Sequence, residues 1–196
     1  MKYIVFDLEA TCWENKEQRP VIPGIGKAPM EIIEIGAVCV DEEGQVCSEF
    51  SEFIHPVIVP TLSDFCKKLT SITQEDVDNA WPFKVVIRKF AWWIMQNLRD
   101  PEEEAVLCSW GHYDKKQLTQ DIKYHKEDEL LVLLQGHFSI KHQHGALVNK
   151  KPMGMAQALQ LENLELTGTH HRGIDDARNI VKIFNKYLGK WKVSDE

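Results

Sequence analysis

The sequence predicts an α/β domain in which helices flank a mixed sheet, and three observations carry that expectation. Short apolar, β-rich runs alternate with segments of helical periodicity. No internal repeat or low-complexity tract interrupts them. The composition, 43% hydrophobic and 27% charged, suits a globular chain with one substantial core. Residues 1–190 are expected to form that single domain, with a C-terminal tail over 191–196.

The elements follow in order. Lys2 to Leu8 is an apolar run ending in carboxylates and reads as a buried first strand. Glu14 to Pro29 holds Pro20, Pro23, Gly24, Gly26 and several charges, and reads as a loop. Glu31–Val40 and Val46–Ile54 are β-like runs joined by the turn signal Asp41-Glu42-Glu43-Gly44, a hairpin pattern. Ser63 is placed to cap a helix over Asp64–Leu69, and Thr73 to cap another over Gln74–Asp78, with Asp76 completing a capping box in form. Pro82 opens a longer helix whose Phe83, Val86, Ile87, Phe90, Ile94 and Leu98 share one face. Ala105–Cys108 is a further strand, and Lys115–Tyr124, Met153–Leu161 and Ile174–Leu188 are helical. The stretch 135–151, rich in His and Gly, reads as irregular.

Composition also excludes several classes. No apolar run approaches the roughly 20 residues of a membrane span, and Asp7 and Glu9 interrupt the first apolar run too early for a secretory leader. A cytoplasmic location is the expectation. Five scattered cysteines (Cys12, Cys39, Cys47, Cys66, Cys108) without a Cys-x-x-Cys pair argue against a disulfide framework or a structural zinc site. The net charge of −7 disfavours tight, sequence-blind binding of long duplexes through a basic face. It leaves open a site in which bound cations bring the positive charge to a phosphate.

Three short segments carry chemistry. In Phe6-Asp7-Leu8-Glu9, strand alternation sends both acids to one face, where they oppose each other's ionisation unless a divalent cation joins them. Ser109-Trp110-Gly111-His112-Tyr113-Asp114 follows a strand and opens a helix, so Asp114 is aimed back at the sheet end, although an acid there is also ordinary capping. In His171-Arg172-Gly173-Ile174-Asp175-Asp176, an imidazole suited to general-base work precedes a helix whose first turn holds Asp176.

In order and spacing these segments resemble the DEDDh exonucleases, the RNase T-like and proofreading superfamily. That family shows a D-x-E motif, then one Asp, then a His five residues before an Asp, and the last spacing selects His171 over His170. Phe6 to Trp13, Glu31 to Ala37 and Leu62 to Cys66 with Leu69-Thr70 and Ile72-Thr73 look like its Eri-type branch, whose members trim histone mRNA and small RNAs. The likeness runs from Lys2 to about Leu188 and departs at His112, where relatives often carry Asp or Ser.

The resemblance implies an RNase H-like fold with a five-stranded mixed sheet. It implies two Mg²⁺, with Mn²⁺ as a substitute, held by Asp7, Glu9, Asp114 and Asp176, and His171 as the general base in a two-metal hydrolysis. It also implies Ala10 and Thr11 beside the terminal sugar and Phe65 and Tyr113 lining the nucleotide pocket. The implied substrate is a single-stranded RNA 3′ end, released as nucleoside 5′-monophosphates. Single-stranded DNA or short oligonucleotides are the alternative within the class, and an idle nucleic-acid-binding scaffold is the alternative outside it. His137, His142 and His144 lack partner ligands at zinc spacing. Of Trp92-Trp93 one ring is expected to pack, and an exposed Trp93 would mark a partner surface. Lys115, Lys116, Lys141, Lys150 and Lys151 read as solvated, with guidance of a strand as their other use.

Overall fold

The computed structural model describes residues 1–100 and 102–193. Its centre is a six-stranded sheet of order β6-β5-β4-β1-β7-β8. The long strands are β1 (Lys2–Ala10), β4 (Ile32–Val40), β5 (Val46–His55) and β7 (Ala105–Ser109). Two-residue strands, β6 (Trp81–Pro82) and β8 (Phe138–Ser139), close the edges. The sheet therefore has six strands rather than the expected five; strands of two residues are too short to show a period of two. β1 pairs antiparallel with β4 and parallel with β7, so the sheet is mixed.

The expected helices are present: α1 (Asp64–Thr70), α2 (Gln74–Asp78), α3 (Phe83–Gln96), α4 (Tyr113–Tyr124), α6 (Met155–Leu161) and α7 (Gly173–Lys186). The Ser63 hydroxyl accepts from the Cys66 amide, and Thr73 with Asp76 forms a full capping box. α3 ends before Leu98, and α4 starts two residues earlier than expected, which brings Asp114 into its first turn.

Two segments read as irregular are partly regular. The 14–29 loop holds a 3-10 turn (Lys16–Gln18) and a small hairpin, β2 (Val21–Ile22) with β3 (Gly26–Lys27). The 135–151 stretch holds β8 and α5 (Ile140–Leu147), whose His and Gly content conceals the helical period. Trp93, not Trp92, is the packed ring: it stacks on Phe90 at 5.8 Å, whereas Trp92 stands 62% exposed. Of the expected tail, Trp191 stacks on Phe184 at 5.7 Å and donates to the Phe184 carbonyl, and residues 194–196 lie outside the described residues.

Alternation in β1 divides the core. Ile4, Phe6 and Leu8 enter the cluster beneath α3 and α4, while Val5 enters the cluster beneath α6 and α7. Asp7 and Glu9 continue the Val5 series, so both carboxylates emerge on the α7 face. β1 and its parallel neighbour β7 end at the same side of the sheet. A crevice outside the carboxyl ends of parallel strands is where α/β sheets place their ligands.

Candidate active site

Four chain segments meet at that sheet end. β1 brings Asp7 and Glu9, and across the ladder Asp7 faces Gly36 and Glu9 faces Glu34. The lack of a side chain at Gly36 lets α7 dock there: a Cβ on Gly36 would lie 2.0 Å from the Gly173 carbonyl carbon. A Cβ on Gly173 would itself meet the Gly36 backbone nitrogen at 3.0 Å and the Asp7 carbonyl oxygen at 3.1 Å. Two glycines thus bring the first turn of α7, with Asp176, against the two β1 acids.

A buried ion pair locks this contact. Glu34 is fully buried and accepts from Arg172 Nε at 3.1 Å and from the Gly173 amide at 3.0 Å. Sequence reading gave Glu34 no role. Its signal was a lone acid inside the otherwise apolar run Ile32-Ile33-Glu34-Ile35.

The acids crowd one another. Asp7, Glu9 and Asp176 each offer an oxygen within 4.8 Å of the other two. Burial first, then Asp114, Glu9, Asp176 and Glu34, hold the Asp7 carboxyl well above the usual carboxylate range. Glu9 is pushed up to about 8, by burial and then by Asp176 and Glu34. Asp114 completes the cluster from α4; its Oδ1 accepts from the Leu8 amide at 3.3 Å. Burial raises Asp114 to about 6, against the opposing pull of its own amide, the Leu8 amide and the Ser109 hydroxyl.

His170 and His171 close the cleft. Their rings stack at 4.0 Å, and His171 has a left-handed backbone, φ 65°, an uncommon conformation for a residue with a side chain. Asp176 holds that turn through the His171 amide at 3.0 Å and the His170 Nδ1 at 3.0 Å. The His171 ring makes no hydrogen bond among the described residues, and burial, ahead of the charge of His170, lowers its pKa against the opposing pull of Asp176. The cleft has a volume of about 340 Å³ and is bounded by these groups with Trp110, Tyr113 and Met155.

The remaining residues singled out in the sequence fall at different distances from the cleft. Tyr113 lines it, 47% exposed. Phe65 stands exposed on α1 and is not among the cleft's lining residues. Ala10 and Thr11 are buried, and the Thr11 amide already donates to the Glu31 carbonyl at 2.8 Å. Of the three histidines considered for zinc, His144 is apart, buried against Glu162 at 2.8 Å.

The donor set fits a divalent cation. Buried carboxylates that raise each other's pKa are unstable as a group without positive charge, and their oxygens are the ligands that hard cations prefer. With an imidazole at the rim, the cleft is equipped to activate water beside an anionic substrate.

Comparison with known proteins agrees with this geometry. The RNase T family model, described as an exonuclease, matches residues 4–184. Human ERI1 exoribonuclease 2 is 32% identical over 192 residues, which cover 90% of this chain but 27% of that protein. The chain thus spans about a quarter of that relative. The probable 3′-5′ exonuclease KapD of Bacillus subtilis is 31% identical over 155 residues, 79% of this chain and 71% of the relative. Among solved structures, the nuclease domain of 3′hExo, a DEDDh family member bound to rAMP, superposes with a TM-score of 0.82 at 26% identity. That match covers 100% of this chain and 96% of the other. The family match spans the strands and helices that build the carboxylate cleft, and the chain belongs to the RNase T exonuclease family.

Proposed function

We propose that the protein is a metal-dependent 3′→5′ exonuclease that removes nucleoside 5′-monophosphates from single-stranded RNA ends. The observation that carries this reading is the convergence of Asp7, Glu9 and Asp176, oxygens within 4.8 Å, beside Asp114 and a free imidazole. Asp7, Glu9, Asp114 and Asp176 would hold two Mg²⁺ ions, or Mn²⁺ in their place. When bound, such ions supply positive charge to the scissile phosphate and to the departing oxygen.

The chain's own groups do the rest. His171 accepts a proton from the attacking water at its imidazole, whose pKa burial lowers. The water oxygen bonds to phosphorus, the bond from phosphorus to the 3′-oxygen breaks, and the departing oxygen takes a proton from solvent to become the new 3′-hydroxyl. Tyr113 offers the terminal base an aromatic face at the cleft wall. His170, bonded to Asp176, is a positioning residue in this reading.

RNA as the preferred sugar is supported by the ERI1 exoribonucleases and by the rAMP-bound 3′hExo domain, whose names state RNA chemistry. We also propose a cytoplasmic location, in keeping with five free cysteines. The test is a gel of 5′-labelled single-stranded RNA and the matching DNA, with Mg²⁺ or EDTA. RNA should shorten stepwise from its 3′ end with Mg²⁺ alone. Faster shortening of DNA would transfer the reading to DNA, and no shortening of either would favour a binding scaffold.

A further inference from the structure

Beside the acidic cleft lies a group of cations that the hydrolysis does not use. His112 precedes α4, two residues before Asp114, and Lys115 and Lys116 follow in the helix's first turns. α5 approaches from the other side: the His142 ring stacks on His112 at 4.6 Å and 23°. The Lys141 chain passes 3.8 Å from where a Gly111 Cβ would stand.

Some of the chain's cations are committed to carboxylates. Lys67, Arg88, Arg172, Arg178 and Lys186 each sit against a carboxylate. Among the described residues, Lys115, Lys116 and Lys141 enter no ion pair, and their ammonium groups make no hydrogen bond. What sets these three apart from other unpaired lysines is their place, grouped around the stacked rings of His112 and His142 beside the acidic cleft. Ordinary solvated lysines do not require clustering, nor a pair of exposed stacked imidazoles between them.

We propose that this shelf binds the phosphate backbone of a single-stranded polynucleotide, on the 5′ side of the nucleotide held in the cleft. This rests on the exonuclease reading only for where the strand ends; the shelf binds whether or not the cleft cuts. Lysines at the starts of α4 and α5 supply the positive charge that neutralises backbone phosphates. The flat faces of His112 and His142 offer unpaired bases a stacking platform that a duplex would withhold. At physiological salt, charge is screened beyond about 8 Å. A strand in contact therefore meets the shelf rather than the acidic whole.

The experiment measures fluorescence anisotropy of 5′-labelled oligonucleotides of three to twelve nucleotides in EDTA, where they stay intact, across a salt series. Wild type should bind longer strands more tightly. The triple variant Lys115→Gln, Lys116→Gln, Lys141→Gln should lose about tenfold or more in affinity for the twelve-mer and most of the length dependence. Its slope of log affinity against log salt should be shallower by about 2, since each lost phosphate contact in a single strand contributes about 0.7. A control triple at exposed lysines elsewhere (Lys68→Gln, Lys123→Gln, Lys192→Gln) carries the same charge change and should keep wild-type length dependence. Circular dichroism melts confirm that both variants fold.

Equal loss in both triples, or wild-type affinity and slope in the shelf triple, would overturn the proposal. So would an absence of oligonucleotide binding by wild type, which would leave the shelf to an acidic protein surface. If wild type binds through the shelf but cuts nothing with Mg²⁺, the exonuclease reading fails and the shelf stands.

Discussion

At the scale of the residue, the informative groups are buried acids whose neighbours move them in opposite directions. Asp7 and Glu9 face other carboxylates and are raised. Glu162, only 7% exposed, faces Lys186 Nζ at 2.7 Å, His144 Nε2 at 2.8 Å and Tyr187 Oη at 2.8 Å. Burial works to raise Glu162, but those partners prevail and bring it down to about 2. A carboxylate whose folded pKa lies below its unfolded value stabilises the fold above the unfolded pKa, and loses that contribution as pH falls through the folded one. Glu162→Gln should therefore cost about 2–3 kcal/mol at pH 7. In urea titrations the gap from wild type should narrow steadily between pH 5 and pH 3. A gap independent of pH would assign the stabilisation to packing instead.

At the scale of the element, the docking of α7 on β4 decides whether a site exists. Gly36 and Gly173 leave no room for a methyl group, and the atoms that a Gly36 Cβ would meet are backbone. Gly36→Ala should cost about 3 kcal/mol or more and displace Asp176 from the β1 acids, so that stability and turnover fall together. A urea midpoint unchanged from wild type would contradict this. The same elements show what the sequence made legible. D-x-E on a strand, and a His and an Asp at a helix start, follow from local periodicity, and the helices with caps or a strong apolar face lie where Ser63, Thr73 and the Phe83–Ile94 series put them. Glu34 escaped notice because its partner Arg172 is 138 residues away. α5 escaped because its residues, His142 and His144 among them, present little apolar stripe. Phe65, which the family likeness places in the pocket, stands exposed on α1. Which side chains line a cleft depends on how separate elements meet, and one segment's pattern does not contain that.

At the scale of the whole molecule, an acidic protein gathers four carboxyl groups at the end of its central strand. Such a cluster opposes folding until cations enter, so metal binding and stability should be linked. The most direct test is thermal unfolding of wild type and Asp7→Asn in EDTA and in saturating Mg²⁺ or Mn²⁺. At a metal concentration a hundred times its dissociation constant, a single site adds about 2.7 kcal/mol. In a domain of this size that corresponds to a rise of about 5–10 °C. Wild type should show that rise, and Asp7→Asn should show little of it. In EDTA the variant should melt no lower than wild type, because it has lost one of the crowded carboxylates. A wild type indifferent to metal, or a variant stabilised equally, would contradict the claim that these acids form a metal-dependent catalytic centre.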